Sequence, residues 1–293
     1  MLDREEYVEQ AYLFRSLGER LPESTPVQEL LVQIKNELLA TTRLPLAIDF
    51  MLGELKHIGT MSTAMARLPH YFSPFQTYVI QEAERDQGRF DLRIAVEILH
   101  HEATYRAASG SPQGIFLYQF ECLCRNRMRY DPGLAAMAGD PSFDENWRQW
   151  LDIVRRQIGL VDFADMIYFR SQYYLLHRRR PGEPIPAPEK PVLFGEKEGK
   201  IAWANRQKDP LYLFAALQRQ LGYPHVPRPK KAEDPQNNVT LMRLRIERLE
   251  TRIKLLEEEN RGGIDITKFY GPKGNRLTIS PPPDLDNPST SEL

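Results

Sequence analysis

Six histidines are the scarce proton carriers and possible metal ligands of this 293-residue chain. Two of them follow a glutamate by three residues, in Glu54-Leu55-Lys56-His57 and Glu97-Ile98-Leu99-His100. On a helix that spacing sets a carboxylate and an imidazole on adjoining turns of one face. Two such pairs, with a glutamate from each of two further helices, build a di-iron or di-manganese carboxylate centre inside a bundle. Glu29, Glu37 or Glu121 would have to complete the set. The second pair is badly placed for this. Its helix has an apolar face centred near Leu92, Leu99 and Ala103, which leaves His100 about 80° and Glu97 about 140° off, toward solvent. The first pair sits among Leu46, Ala47, Ile48, Phe50, Met51, Leu52, Leu55 and Ile58, which cover nearly every direction and predict a helix buried on most sides. Asp49, Glu54 and His57 would then form a satisfied polar network in the core, a solvent-facing stripe, or a site for iron, manganese or zinc.

Other chemistry has less support in the residues. Cys122 and Cys124 lie about 200° apart around a helix, so they neither chelate one metal together nor bridge to each other. No phosphate-binding glycine loop, G-x-S-x-G turn or H-E-x-x-H pair is present. Arg125, Arg127 and Arg129, together with Arg178, Arg179 and Arg180, offer two basic strips. The second closes an aromatic helix (Tyr168, Phe169, Tyr173, Tyr174), where cations also stabilise the carboxyl end of the helix dipole.

The elements that must position these groups are helices. Polar residue followed by proline recurs at Thr25-Pro26, Ser73-Pro74, Ser111-Pro112, Asp131-Pro132 and Asp209-Pro210. The side-chain oxygen accepts from an orphan amide of the first turn, and proline at the next position has no amide to lose. Thr25 with Gln28 and Ser142 with Glu145 add two capping-box spacings. Helical apolar periodicity follows, as in Val27, Leu30, Leu31, Ile34 and Leu38, or Trp147, Trp150, Leu151, Val154 and Ile158. Two-residue alternation is missing, with 191–195 the one stretch that reads as a short strand. The fold class is all-α.

Prolines divide the chain: 8 of 23 precede residue 181, and runs of them fall at 181–191, 224–235 and 281–283. Such runs favour extended spacers. The expected organisation is a helical body (1–180), a Pro-rich linker (181–191), a short helical segment (192–223), a second linker (224–238), a coiled coil (239–261) and a mostly disordered tail (262–293). Within the tail Ile264, Ile266, Phe269 and Tyr270 form an apolar cluster suited to a docking peptide.

The coiled coil is the most specific signal. Val239, Ile246, Ile253 and Asn260 occupy heptad position a, and Met242, Leu249 and Leu256 occupy d. β-Branched residues at a with leucine at d favour parallel two-stranded coils. Arg245 and Arg252 at g face Glu250 and Glu257 at e of a parallel partner, giving two interchain salt bridges, whereas an antiparallel partner sets arginine against arginine. The competing expectation is that this helix buries its apolar seam on its own body, and Leu241, Leu244 and Leu255 off the seam favour that or a bundle of higher order.

With 39 basic and 40 acidic residues the chain lacks the basic excess of a dedicated polyanion binder, and no apolar run is long enough for a membrane span. A charged start from Asp3 and two cysteines fit a reducing, cytoplasmic setting. The expected function is a non-enzymatic helical scaffold or interaction protein without cofactor, pairing with itself as a parallel homodimer or with another coiled-coil protein. The alternatives are a metal-dependent helical enzyme at Asp49, Glu54 and His57, and a nucleic-acid-associated regulator using the arginine strips.

Overall fold

A computed structural model describes residues 2–23, 25–85, 90–179, 187–228, 242–243 and 246–254. Among them are thirteen α-helices, one 3-10 turn and no strand, with further helix at 242–243 and 246–254. The chain is therefore all-α. Residues 1–253 form one compact unit, and residues 254–293 fall outside it.

The central pair is α1 (Arg4–Arg20) and α6 (Leu92–Ala107), which make the most extensive helix contact among the described residues. Helices α2 (Val27–Glu37), α3 (Leu44–Ile58), α4 (Met61–Ala66) and α5 (Pro74–Glu84) pack around one flank. The other flank holds α7 (Pro112–Arg125), α8 (Tyr130–Ala138), α9 (Glu145–Gln157), α10 (Phe163–Tyr168) and α11 (Gln172–Arg178). Helices α12 (Glu196–Ala204) and α13 (Pro210–Leu221) return onto α10, α11 and α7. The Pro-rich stretch before residue 192 thus separates these two helices from the body in sequence but not in space. Phe194, just after it, is buried among Phe116, Trp147 and Trp150 with ring centroids 5.3–6.2 Å apart. Phe120 stacks on Phe163 at 4.3 Å in the same aromatic core.

The helix starts divide into two groups. Ser73, Ser111 and Asp209 cap as their spacing predicts, and Ser73 forms a complete box with Gln76. Thr25 and Asp131 do not: α2 has Pro26 at its N-cap with no side-chain cap, and Asp131 lies inside α8, paired with Arg155. Asp144, rather than Ser142, caps α9 by accepting from Trp147 N. The aromatic run 163–178 is two helices, not one. Ser171 accepts from Tyr174 N to start α11, while the Arg170 carbonyl turns away to accept from Leu193 and Phe194. A single bridge between Ser171 and Phe194 is all that the strand-like stretch forms.

Helix α3 departs most from expectation. Its buried residues are Leu44, Ala47, Ile48, Met51 and Leu55, a single face of helical spacing, because α2 and α4 cover it from one side. Leu46 and Phe50 are 73% and 40% exposed.

Candidate functional site

The exposed side of α3 carries all three candidate ligands outward. Asp49 pairs with Lys35 at 2.6 Å, Glu54 pairs with Arg67 at 2.6 Å, and His57 is exposed in the last turn. Asp49 and His57 are surface groups and Glu54 is half-buried against Arg67, with no enclosed network among them, since the enclosure required Leu46, Phe50 and Ile58 to be covered. On α6, Glu97 is exposed and His100 meets the Ala11 carbonyl through Nδ1 at 2.9 Å. Glu29 is exposed, Glu37 takes Tyr12 and Arg20, and Glu121 takes Arg125 and Tyr223. Among the described residues no three His, Cys, Asp or Glu side chains come together as a metal set. Both thiols are pushed up by burial, Cys124 to about 11, so they stay protonated near neutral pH.

The first arginine strip is largely spent on carboxylates. Arg125 pairs with Glu121 and Arg129 pairs with Glu82 at 2.6 Å, leaving Arg127 exposed. In the second, Arg178 lies over the Tyr174 ring and donates to its hydroxyl at 3.0 Å. Arg180 lies outside the described residues.

The heptad segment is where sequence pattern and surface coincide. Of its seam, Met242, Ile246, Leu249 and Ile253 are described, and they are 61%, 53%, 55% and 52% exposed. Val239, Arg245, Leu256, Glu257 and Asn260 lie outside the described residues, as do Leu241, Leu244, Leu255 and the tail residues Ile264, Ile266, Phe269 and Tyr270. The helix 246–254 touches the body with other residues. Arg248 donates through both terminal nitrogens to the Glu84 carbonyl at 3.4 Å, and the Glu247 carboxylate accepts from the Val27 amide. Glu247, Arg248 and Thr251 line a small groove with Val27, Leu55 and Met61.

These contacts obey helix electrostatics. Val27 opens α2, whose N-cap Pro26 has no side-chain acceptor, so Glu247 supplies one at a positive helix end. Glu84 closes α5, so Arg248 meets an orphan carbonyl at a negative helix end. The Glu84 side chain meanwhile takes Met61 N and Ser62 N at 2.6 and 3.0 Å, capping α4. Burial raises Glu247 above the ordinary carboxylate range, and the bond from Val27 offsets part of that. In the heptad Glu247, Arg248 and Thr251 are positions b, c and f, the outer face of a coil. The docked face and the apolar seam are therefore opposite sides of one helix.

The polar residues that the spacing did not reveal lie deeper. Glu102 and Arg106 on α6, Gln119 on α7 and Asp140 after α8 form one buried network, with Arg106 to Asp140 at 2.5 Å and to Glu102 at 2.9 Å. The visible signal was Gln119, the lone amide in an otherwise apolar or aromatic run from Ile115 to Phe120. Arg170, buried between α10 and α11, had no such signal.

The chain matches no protein-family model, no curated protein and no solved structure.

Proposed function

We propose that this protein is a helical interaction protein that associates with a second copy of itself through a parallel coiled coil at 239–260. The observation that carries this reading is the outward seam: Met242, Ile246, Leu249 and Ile253 stay more than half exposed while the opposite edge of the helix is fixed to the body. An amphipathic helix that belonged to its own body would bury its apolar stripe; here the stripe is exposed and the contacts to the body come from Glu247, Arg248 and Thr251. Docking through Glu247 and Arg248 leaves the seam free, so attachment to the body and pairing with a partner do not compete. The e and g charges select the parallel register.

Light scattering on the full chain tests this. The expected mass is twice 34.0 kDa, falling to one chain in the variant Ile246→Lys/Ile253→Lys. A single-chain mass for the unsubstituted protein at ~100 μM, where a modest association would already show, overturns the reading.

A further inference from the structure

Three residues of the helix 246–254 meet the body where other helices begin and end. Glu247 accepts from the Val27 amide at the start of α2, and Arg248 donates to the Glu84 carbonyl at the end of α5. The Arg248 stem also passes Gly59, the left-handed C-cap of α3 (φ 74°), with its Cγ 3.4 Å from where a Cβ would stand. Thr251 lines the same groove, together with Met61 at the start of α4. Four helix ends thus converge on one face of one helix. Helix ends carry unpaired backbone groups and partial charges, so a polar helix face finds partners there.

The contacts themselves are slight. They are polar, the arginine bonds are long at 3.4 Å, and the apolar stripe gains nothing from them, since Ile246, Leu249 and Ile253 stay more than half exposed. A helix this short is marginal in water unless it buries an apolar face. A coil of about three heptads, with Asn260 at an a position, is marginal as well. Each association is weak alone, and each needs the same segment to be helical. They use different faces: the body takes b, c and f, whereas pairing takes a, d, e and g, where Glu250 and Arg252 are exposed.

We infer that the body is a splint for the coil: docking on the four helix ends holds residues 246–254 helical before pairing, and pairing in turn tightens the docking. This rests on the self-association proposed above and names what regulates it. The coupling is reciprocal, because two events that favour one conformation must favour each other. Its size follows from populations. Both chains must present a formed helix, so a fall in the formed fraction to about one half weakens pairing about fourfold. In the other direction, the first turn of α2 senses whether a partner is present. Without pairing the helix leaves its groove more often, and the Val27 amide loses its acceptor.

Two variants of the full chain test the two directions. Glu247→Ala/Arg248→Ala removes docking contacts and no seam residue, and alanine is the best helix former, so helix propensity cannot account for weaker pairing. A dilution series followed by light scattering is expected to show a dissociation constant raised ~4-fold or more over the unsubstituted protein. Ile246→Lys/Ile253→Lys removes pairing and keeps the docking residues. Hydrogen exchange in the first turn of α2 (27–29) is expected to be faster in it than in the unsubstituted protein at a concentration where the latter is paired. An unchanged dissociation constant in the first variant overturns the inference, and so does unchanged exchange in the second. Failure of the coil looks different. A single-chain mass for the unsubstituted protein removes the coil and this inference with it, whereas a dimer whose affinity ignores Glu247 and Arg248 leaves the coil standing without its splint.

Discussion

Two buried arginines in this protein are housed in opposite ways. Arg106 sits in the centre with Asp140, Glu102 and the Ser142 hydroxyl at 2.5–2.9 Å, and with the Tyr7 ring 5.9 Å from its guanidinium carbon. Arg170 has one carbonyl at 3.3 Å. Burial opposes the charge on both, but at Arg106 the two carboxylates more than restore it, whereas at Arg170 nothing does. The first arrangement ties α6 to α7 and to the turn after α8, which is the work of a structural charge. The second ties down little, one carbonyl at the Pro191 turn. A charge whose partners are built in holds a fold together, and a charge left with a single carbonyl contributes little to it.

Removing a partner from the first arrangement gives the largest effect. Asp140→Asn leaves Arg106 short of a counter-charge and is expected to cost about 3–5 kcal/mol of stability in chemical denaturation. The pH dependence follows from Asp140. Burial pushes its carboxyl up, but the Arg106 charge and bonds from Arg106 and Ser142 outweigh this and hold it below the ordinary value. A carboxyl with a depressed folded-state value contributes stability that is complete above its unfolded pKa of about 3.9 and is lost as pH falls through the folded value. The gap between the protein and Asp140→Asn should therefore stay constant through neutral pH and narrow only in acid. A gap that narrows above pH ~5, well clear of that window, would mean that the network is not held by this ion pair.

Ser142→Ala comes next. It removes the hydroxyl that accepts from Arg106 at 2.6 Å while leaving the charges in place, and about 1.5 kcal/mol should be lost, the ordinary worth of a bond to a charged group. A loss as large as that of Asp140→Asn would show that enclosure by hydrogen bonds, rather than counter-charge, separates the two arginines.

The two environments were not equally readable from the residues. Helix starts and single faces depend on neighbours in sequence, so Ser73, Ser111 and Asp209, and the Val27–Ile34 stripe, could be read directly. Whether a face is covered depends on partners far along the chain. For that reason the all-round apolar pattern of α3 misled: among the described residues Leu46 and Phe50 have no helix over them, Asp49 and His57 are exposed with them, and Glu54 is half-buried against Arg67. The Glu102–Arg106 spacing is the ordinary four-residue pair of an exposed helix face, and only Gln119 and Asp140, brought from 17 and 38 positions away, bury it. The heptad showed its seam in sequence, but not that the opposite edge would find the vacant ends of α2 and α5.

The smallest expected effect is the most discriminating. Arg170→Met removes a buried cation, one long bond to Pro191 and, among the described residues, no ion pair, and it fills much the same volume with an apolar side chain. Relief of the desolvation offsets the missing Pro191 bond, so stability should change by no more than ~1 kcal/mol and can rise. Thermal denaturation beside Asp140→Asn at the same pH makes the contrast direct. A cost for Arg170→Met matching that of Asp140→Asn would place both arginines in structural roles, because a cation that the fold depends on cannot be surrendered without loss. A near-zero cost leaves Arg170 as a charge that the fold carries without needing.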